Sequence, residues 1–319
     1  MAPDIPDHDL HLRLRAARHP YERSRLVGAV CWLALLFAVA LWAAASTGPT
    51  AVLVLVLLAA AAVVTYWFLM RFWNARLLGR AVKVTPESFP ELHAEITRTQ
   101  RRLDYYRPIN VYVADQVDGK VTITSLLGTR VLLIEGGWLA DLQAEGPAPL
   151  RFLLGNFIGS LKARHGQLAL LVIILDQMNW AVFIDPWMLP YRRSAEYTCD
   201  HIGYLCAEDL DASLKVLSRL TVGKELAQSV SPTGIVEQAC QVADSPLAHF
   251  AEMFQAGPHM VNRYANLVTY AAEANPAEFE RYRAGLTDNG RQFLGKLLTE
   301  SPYYHPAAEA PRQPAAGRS

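Results

Sequence analysis

Leu150–His165 reads LRFLLGNFIGSLKARH, and its spacing predicts a helix over Ala148–Arg164. Gly155 and Gly159 are four residues apart, on a face where small residues let a second helix come close. Asn156 and Ser160 are also four apart, which at ~3.6 residues per turn leaves them only ~40° from each other around the axis. They share one face, with Phe157 beside Asn156. Lys162–His165 forms a basic exit.

A second segment, Arg193–Gly203, reads RSAEYTCDHIG and opens a predicted helix over Arg193–Ala207. Glu196 and Asp200 again stand four apart.

In wording and order the two segments resemble the membrane-bound HtpX-like zinc metallopeptidases, the broad family that also holds the CAAX prenyl proteases. The first helix of that family carries His-Glu-x-x-His, where two imidazoles reach one zinc and the Glu polarises its water. Its second helix supplies a Glu as third ligand, with a supporting Asp four residues later. The resemblance places Asn156 at the first His, Phe157 at the Glu and Ser160 at the second His, while Glu196 and Asp200 are kept. Weaker similarities lie in Phe89-Pro90-Glu91-Leu92, the strand Ile109–Ala114 and Val131–Leu139. Downstream, Pro258-His259 (in changed order) and Arg263 resemble the family's His-Pro and Arg. The similarity covers roughly Pro86–Ala271. It implies an α+β, mostly α fold, with a zincin-like metallopeptidase domain and a small β-sheet.

The altered residues change the expected chemistry. An Asn amide and a Ser hydroxyl are poor ligands beside imidazole, and zinc prefers Cys, His and carboxylate donors. Fully ligated structural zinc sites contribute about 10–16 kcal/mol of apparent binding energy, so losing two of the three protein ligands predicts that zinc, the family's cofactor, is lost here. Phe157 accepts no proton, which removes general-base help worth ~10²–10⁴ in rate. No catalytic residue is therefore expected: Asn156, Phe157 and Ser160 are degenerate positions, and Glu196 and Asp200 a vestigial site. His165 lies ~180° around its helix from Asn156, and His201 ~140° from Glu196. Both read as polar residues at a helix end or surface, and His93 as solvent-facing.

From Leu26 to Met70 there is no charged residue. The stretch divides at Ser46–Thr50 into Leu26–Ala45 and Ala51–Met70, each near the ~20 residues that cross ~30 Å of hydrocarbon. A transmembrane hairpin is expected; a signal peptide, or a buried hairpin of a soluble protein, are the other readings. Arg13, Arg15, Arg18, Arg23 and Arg25 precede the hairpin, Arg71, Arg76, Arg80 and Lys83 follow it, and its turn has no charge. This bias puts both ends, and the main domain, on the cytoplasmic side of the inner membrane. Trp67, Phe68, Phe72 and Trp73 suit an interfacial belt, or packing against the domain. The expected plan is a cytoplasmic segment over 1–25, the hairpin over 26–72, a peptidase-fold domain over 86–300 and a disordered tail over 301–319. Leu168–Leu175 and Trp180–Leu189, interrupted by Asp176, Asp185 and Pro186, read as a buried or membrane-grazing hairpin.

Thirty Lys and Arg balance thirty Asp and Glu, so no net field draws nucleic acid. The cluster Arg98–Arg102 reads as a solvated helix face, or as a contact to anionic lipid if it lies near the bilayer. Cys199 and Cys206, ~10.5 Å apart along a helix axis, are too far apart to bridge and read as small core residues. Elsewhere the pattern predicts helices over Pro90–Asp104 (capped by Ser88), Trp138–Leu142, Leu210–Thr221, Gly234–Val242, Pro246–Gln255, Met260–Ala274 and Pro276–Leu298. Strands are expected over Asn110–Ala114 and Thr129–Glu135, with a turn at Asp118-Gly119. The reading is a membrane-anchored pseudopeptidase that acts by binding a protein partner, with the bilayer as its other partner. Its rivals are an active peptidase with unusual ligands and a structural subunit of a membrane complex.

Overall fold

The computed structural model describes residues 14, 17–115, 121–126, 129–163, 181–223, 227, 229–247 and 258–300. The turn at Asp118-Gly119, His165, Leu168–Asp176, most of Pro246–Gln255 and the tail over 301–319 lie outside these residues.

Helices α1 (Glu22–Thr47) and α2 (Pro49–Leu78) pack together and meet at Gly48, whose φ of 119° favours glycine. Both are long and apolar enough to cross a membrane, and only 6% and 0% of their apolar windows are buried inside the protein. A core helix of a soluble protein would be covered, so this exposed apolar surface indicates membrane association. Both helices outrun their apolar stretches, and α2 carries Arg71 and Arg76 beyond its span.

Four strands form the sheet: β1 (Ala81–Lys83), β2 (Ile109–Ala114), β3 (Val121–Leu126) and β4 (Thr129–Glu135), in spatial order β1-β2-β4-β3. β4 runs parallel to β2, from Ile109↔Arg130 to Ala114↔Glu135, and antiparallel to β3. The sequence reading missed β1 and β3. Alternation along β4 sends Leu132 and Ile134 into the main core and Val131 and Leu133 to a smaller cluster with Tyr112.

Helix α3 (Pro90–Arg102) buries Leu92 and Ile96, and Leu103 follows them into the core. Ser88 does not cap it; Phe89 holds that position, while Ser88 Oγ donates to the Lys83 carbonyl at 2.7 Å. Helices α4 (Gly136–Ala144), α5 (Pro147–Lys162), α6 (Ala181–Ala207), α7 (Leu210–Val222), α8 (Pro232–Ala243) and α9 (Met260–Ala274) follow. The single helix expected over Pro276–Leu298 is two, α10 (Pro276–Ala284) and α11 (Asp288–Glu300). Thr287 Oγ1 accepts from the Gly290 amide at 3.2 Å, which begins the second.

Helix α6 is longer than the predicted Arg193–Ala207 segment. Asp185 and Pro186, read as interruptions, sit inside it together with Pro190, and its first half lies along α1, where Tyr191 packs on Ala29. The α5–α6 pair is set by glycines, as the spacing of Gly155 and Gly159 suggested. A Cβ on Gly155 would stand 2.7 Å from Cys206 Cβ, one on Gly159 2.7 Å from Ile202 Cγ2, and one on Gly203 2.8 Å from the Phe152 carbonyl oxygen. The helices touch backbone to backbone there, and any larger residue would force them apart.

Candidate functional site

The face shared by Asn156 and Ser160 meets the face shared by Glu196 and Asp200, and α9 adds a third wall. Asn156 Nδ2 donates to Asp200 Oδ1 at 2.9 Å. Arg263, on the first turn of α9, forks onto the same carboxylate, with Nε 2.8 Å from Oδ2 and Nη2 2.7 Å from Oδ1. Its third nitrogen, Nη1, stands 3.5 Å from Glu196 Oε2. Asp200 is 1% exposed, and its charge is met by a planar fork and an amide, the arrangement that makes a buried carboxylate tolerable. Burial pushes the Glu196 carboxyl above its ordinary range, Arg263 opposes this, and Asp200 adds to it. The same two carboxylates raise the pKa of Arg263, so it remains a cation throughout the useful pH range.

Phe157 points away from this cluster into the core and is 1% exposed. Ser160 Oγ donates back to the Phe157 carbonyl at 2.6 Å, an intrahelical bond. The structure thus brings together Asn156, Glu196, Asp200 and Arg263, and leaves Phe157 outside them. Among the described residues no group of three or more His, Cys, Asp or Glu side chains is arranged to hold a metal ion. Cys199, next to Asp200, is fully buried; desolvation, then the charges of Asp200 and Glu196, push its thiol well above the usual range. It is a core thiol, not a nucleophile.

The opposite face of α6 is occupied too, which corrects the reading of His201 as a surface or helix-end residue. His201 is fully buried, its Nδ1 3.0 Å from the Ala17 carbonyl oxygen and Nε2 2.7 Å from Asn266 Oδ1, with the ring stacked on Tyr270 at 4.0 Å. Burial lowers its pKa and the two hydrogen bonds oppose that. Thr198 Oγ1 donates to Glu22 Oε2 at 2.7 Å and accepts from the His19 amide at 3.0 Å. Arg25 Nη1 reaches Ser194 Oγ at 2.5 Å, and Arg18 Nη2 reaches the Ala163 carbonyl, at the end of α5, at 3.1 Å. Leu14 and Ala17 belong to the same core as the sheet and α5. Leu14 and residues 17–25 therefore strap the first membrane-type helix to both site helices. No local pattern marked this contact.

The described domain is mostly helical with a small sheet, and its two glycine-packed helices face each other across paired polar positions. Residues 146–271 match the model of Peptidase family M48. The chain is 24% identical over 186 residues to the Plastoglobule-localized metallopeptidase 48, chloroplastic, of Arabidopsis thaliana, covering 54% of this chain and 53% of that protein. It thus spans about half the length of that relative. No solved structure matches the chain.

Proposed function

We propose that this is a membrane-tethered M48-fold protein that has exchanged zinc chemistry for a fixed polar cluster, and that its domain works by binding a protein partner. The observation that carries this reading is the donor set opposite Glu196, where the Asn156 amide and the Ser160 hydroxyl stand in place of two imidazoles and are both turned to partners within the protein. The Arg263 guanidinium stands 3.5 Å from Glu196 and forks onto Asp200, so the one carboxylate available as a ligand already has a cation beside it. The remaining donors do not fit the metal. The Asn156 amide nitrogen points at Asp200 and the Ser160 hydroxyl at its own helix, whereas catalytic zinc is held by three strong donors and a water. Phe157, in the general base's place in the sequence, is packed into the core and offers no group to accept a proton.

The domain division proposed is a hairpin over 26–72 and a peptidase fold over 86–300, with 1–25 ahead of them and 301–319 after. The strap of Leu14 and residues 17–25 supports placing the N-terminal segment and the domain on one side of the bilayer. The arginine bias around the hairpin favours the cytoplasmic side of the inner membrane.

Purified full-length protein in detergent should cleave an unfolded protein substrate no faster than its Glu196→Ala variant does, with or without chelator. Cleavage abolished both by chelator and by Glu196→Ala would overturn the proposal and restore an active peptidase with unusual ligands.

A further inference from the structure

Helix α2 does not end where its apolar run ends. Past Leu69 it continues through Arg71 and Arg76 to Leu78, and the chain then turns through Arg80 into β1, which closes on Lys83. From Arg23 to Pro86 the sequence holds Arg23, Arg25, Arg71, Arg76, Arg80 and Lys83, and no Asp or Glu. Arg25 is spent inside the protein, on Ser194 and the Pro190 carbonyl. The other five are exposed, and among the described residues none of them has an ion-pair partner. Asp115, which follows the Ala114 partner of Ala81, forms no ion pair with them. The rest of the surface behaves differently: Arg98 sits on Glu95, Arg102 on Glu208 and Lys215 on Asp211. A chain with balanced charge has thus gathered unneutralised cations at one end of its hairpin.

Their depth is also defined. The Arg71 guanidinium lies over the Trp67 ring at 5.0 Å, one helical turn away. Trp67 and Phe68 are exposed at the edge of the apolar span, where aromatic rings take the headgroup level. With the apolar span in a bilayer, this stacking would set the Arg71 fork at the level of lipid phosphate, whose geometry it matches. Arg76, Arg80 and Lys83 step outward from it.

We propose that this cationic collar binds the headgroups of anionic phospholipids, making the protein selective for negatively charged bilayers. The inference rests on the reading that the hairpin lies in a bilayer. A zwitterionic headgroup offers phosphate with its charge already cancelled, whereas an anionic one leaves a net charge for the arginines. Each basic side chain near an anionic surface contributes about 1 kcal/mol, roughly fivefold in binding.

The test uses full-length protein purified in detergent and mixed with equal amounts of phosphatidylglycerol and phosphatidylcholine, with retained lipid counted by native mass spectrometry. Phosphatidylglycerol should be retained preferentially by about tenfold or more, and the preference should decline as salt is raised. The variant R71Q/R76Q/R80Q, in which Arg23 and Lys83 remain, should lose most of the preference, while R71K/R76K/R80K, which keeps the charges, should retain most of it. Equal retention of the two lipids by the parent protein, or an unchanged preference in the Gln variant, would overturn the inference. Loss of the preference in millimolar inorganic phosphate would overturn it as well, by assigning the site to free phosphate. Recovery of the chain in the soluble fraction without detergent would instead refute the membrane reading itself.

Discussion

Replacing Arg263 by Met removes the one side chain that, among the described residues, touches both carboxylates of the site, while keeping the volume of its stem. Asp200, 1% exposed, would retain a single donor, the Asn156 amide at 2.9 Å. Breaking one partner from a buried ion pair costs about 3–5 kcal/mol, because the charge left behind is uncompensated. The Arg263 side chain is 20% exposed, so water can reach one side of the vacated space, and the lower figure, about 3 kcal/mol, applies. For a domain of roughly 150–250 residues each kcal/mol moves the midpoint by about 2–4 °C. Arg263→Met should therefore melt about 6–12 °C below the parent in the same detergent. Added zinc should restore nothing. Combining it with Asp200→Asn, which removes the stranded charge, should recover more than half of the loss, a coupling that independent sites do not show. A single variant that melts within about 2 °C of the parent would mean that the Arg263–Asp200 pair does not hold the site together.

Gly203→Ala should destabilise, although Ala exceeds Gly in helix propensity by about 1 kcal/mol. The added Cβ would lie 2.8 Å from the Phe152 carbonyl oxygen, a backbone atom that cannot swing aside, and overpacking costs about 1–3 kcal/mol. Gly295→Ala in α11, where nothing stands within 4 Å, should raise the midpoint; the opposite order of the two variants would contradict the described α5–α6 contact. Stability should also fall on acidification. Burial, then Arg25 and His201, lower the pKa of His19 from 6.5 to about 4. Below pH 6.5 the unfolded chain binds a proton that the folded one refuses, so the His19 contribution is complete above pH 6.5 and lost as pH falls toward 4. His19→Gln should flatten that acid limb in a pH series of unfolding midpoints, and an unchanged limb would remove His19 from the strap's energetics.

The site was legible where its logic is local. Glycines four apart announced a close helix partner, and paired polar positions four apart on two segments marked faces that do meet, with Arg263 completing them. The opposite face of α6 was not legible. The angle from Glu196 correctly turned His201 away from the cluster, but what covers it there is Ala17, 184 residues away, and helical periodicity carries no information about so distant a contact. The sheet was half legible for a related reason. β4 is a run of aliphatic residues buried on both faces, whereas β1 has three residues and owes its extended form to pairing with β2. Ser88 offered a capping residue where the chain instead used its hydroxyl to close the loop onto Lys83. The exposed apolar surface of α1 and α2 also favours a membrane hairpin over a buried one, a distinction that composition alone did not make.

The central claim, that Arg263, Asp200, Asn156 and Glu196 form a closed polar cluster where a metallopeptidase would hold its metal, is tested most directly by metal content. Full-length protein, purified without chelator and supplied with zinc during expression, should carry no zinc above the buffer background by inductively coupled plasma mass spectrometry. Its content should not change in Glu196→Ala. One equivalent of zinc per chain, lost in that variant, would contradict the account.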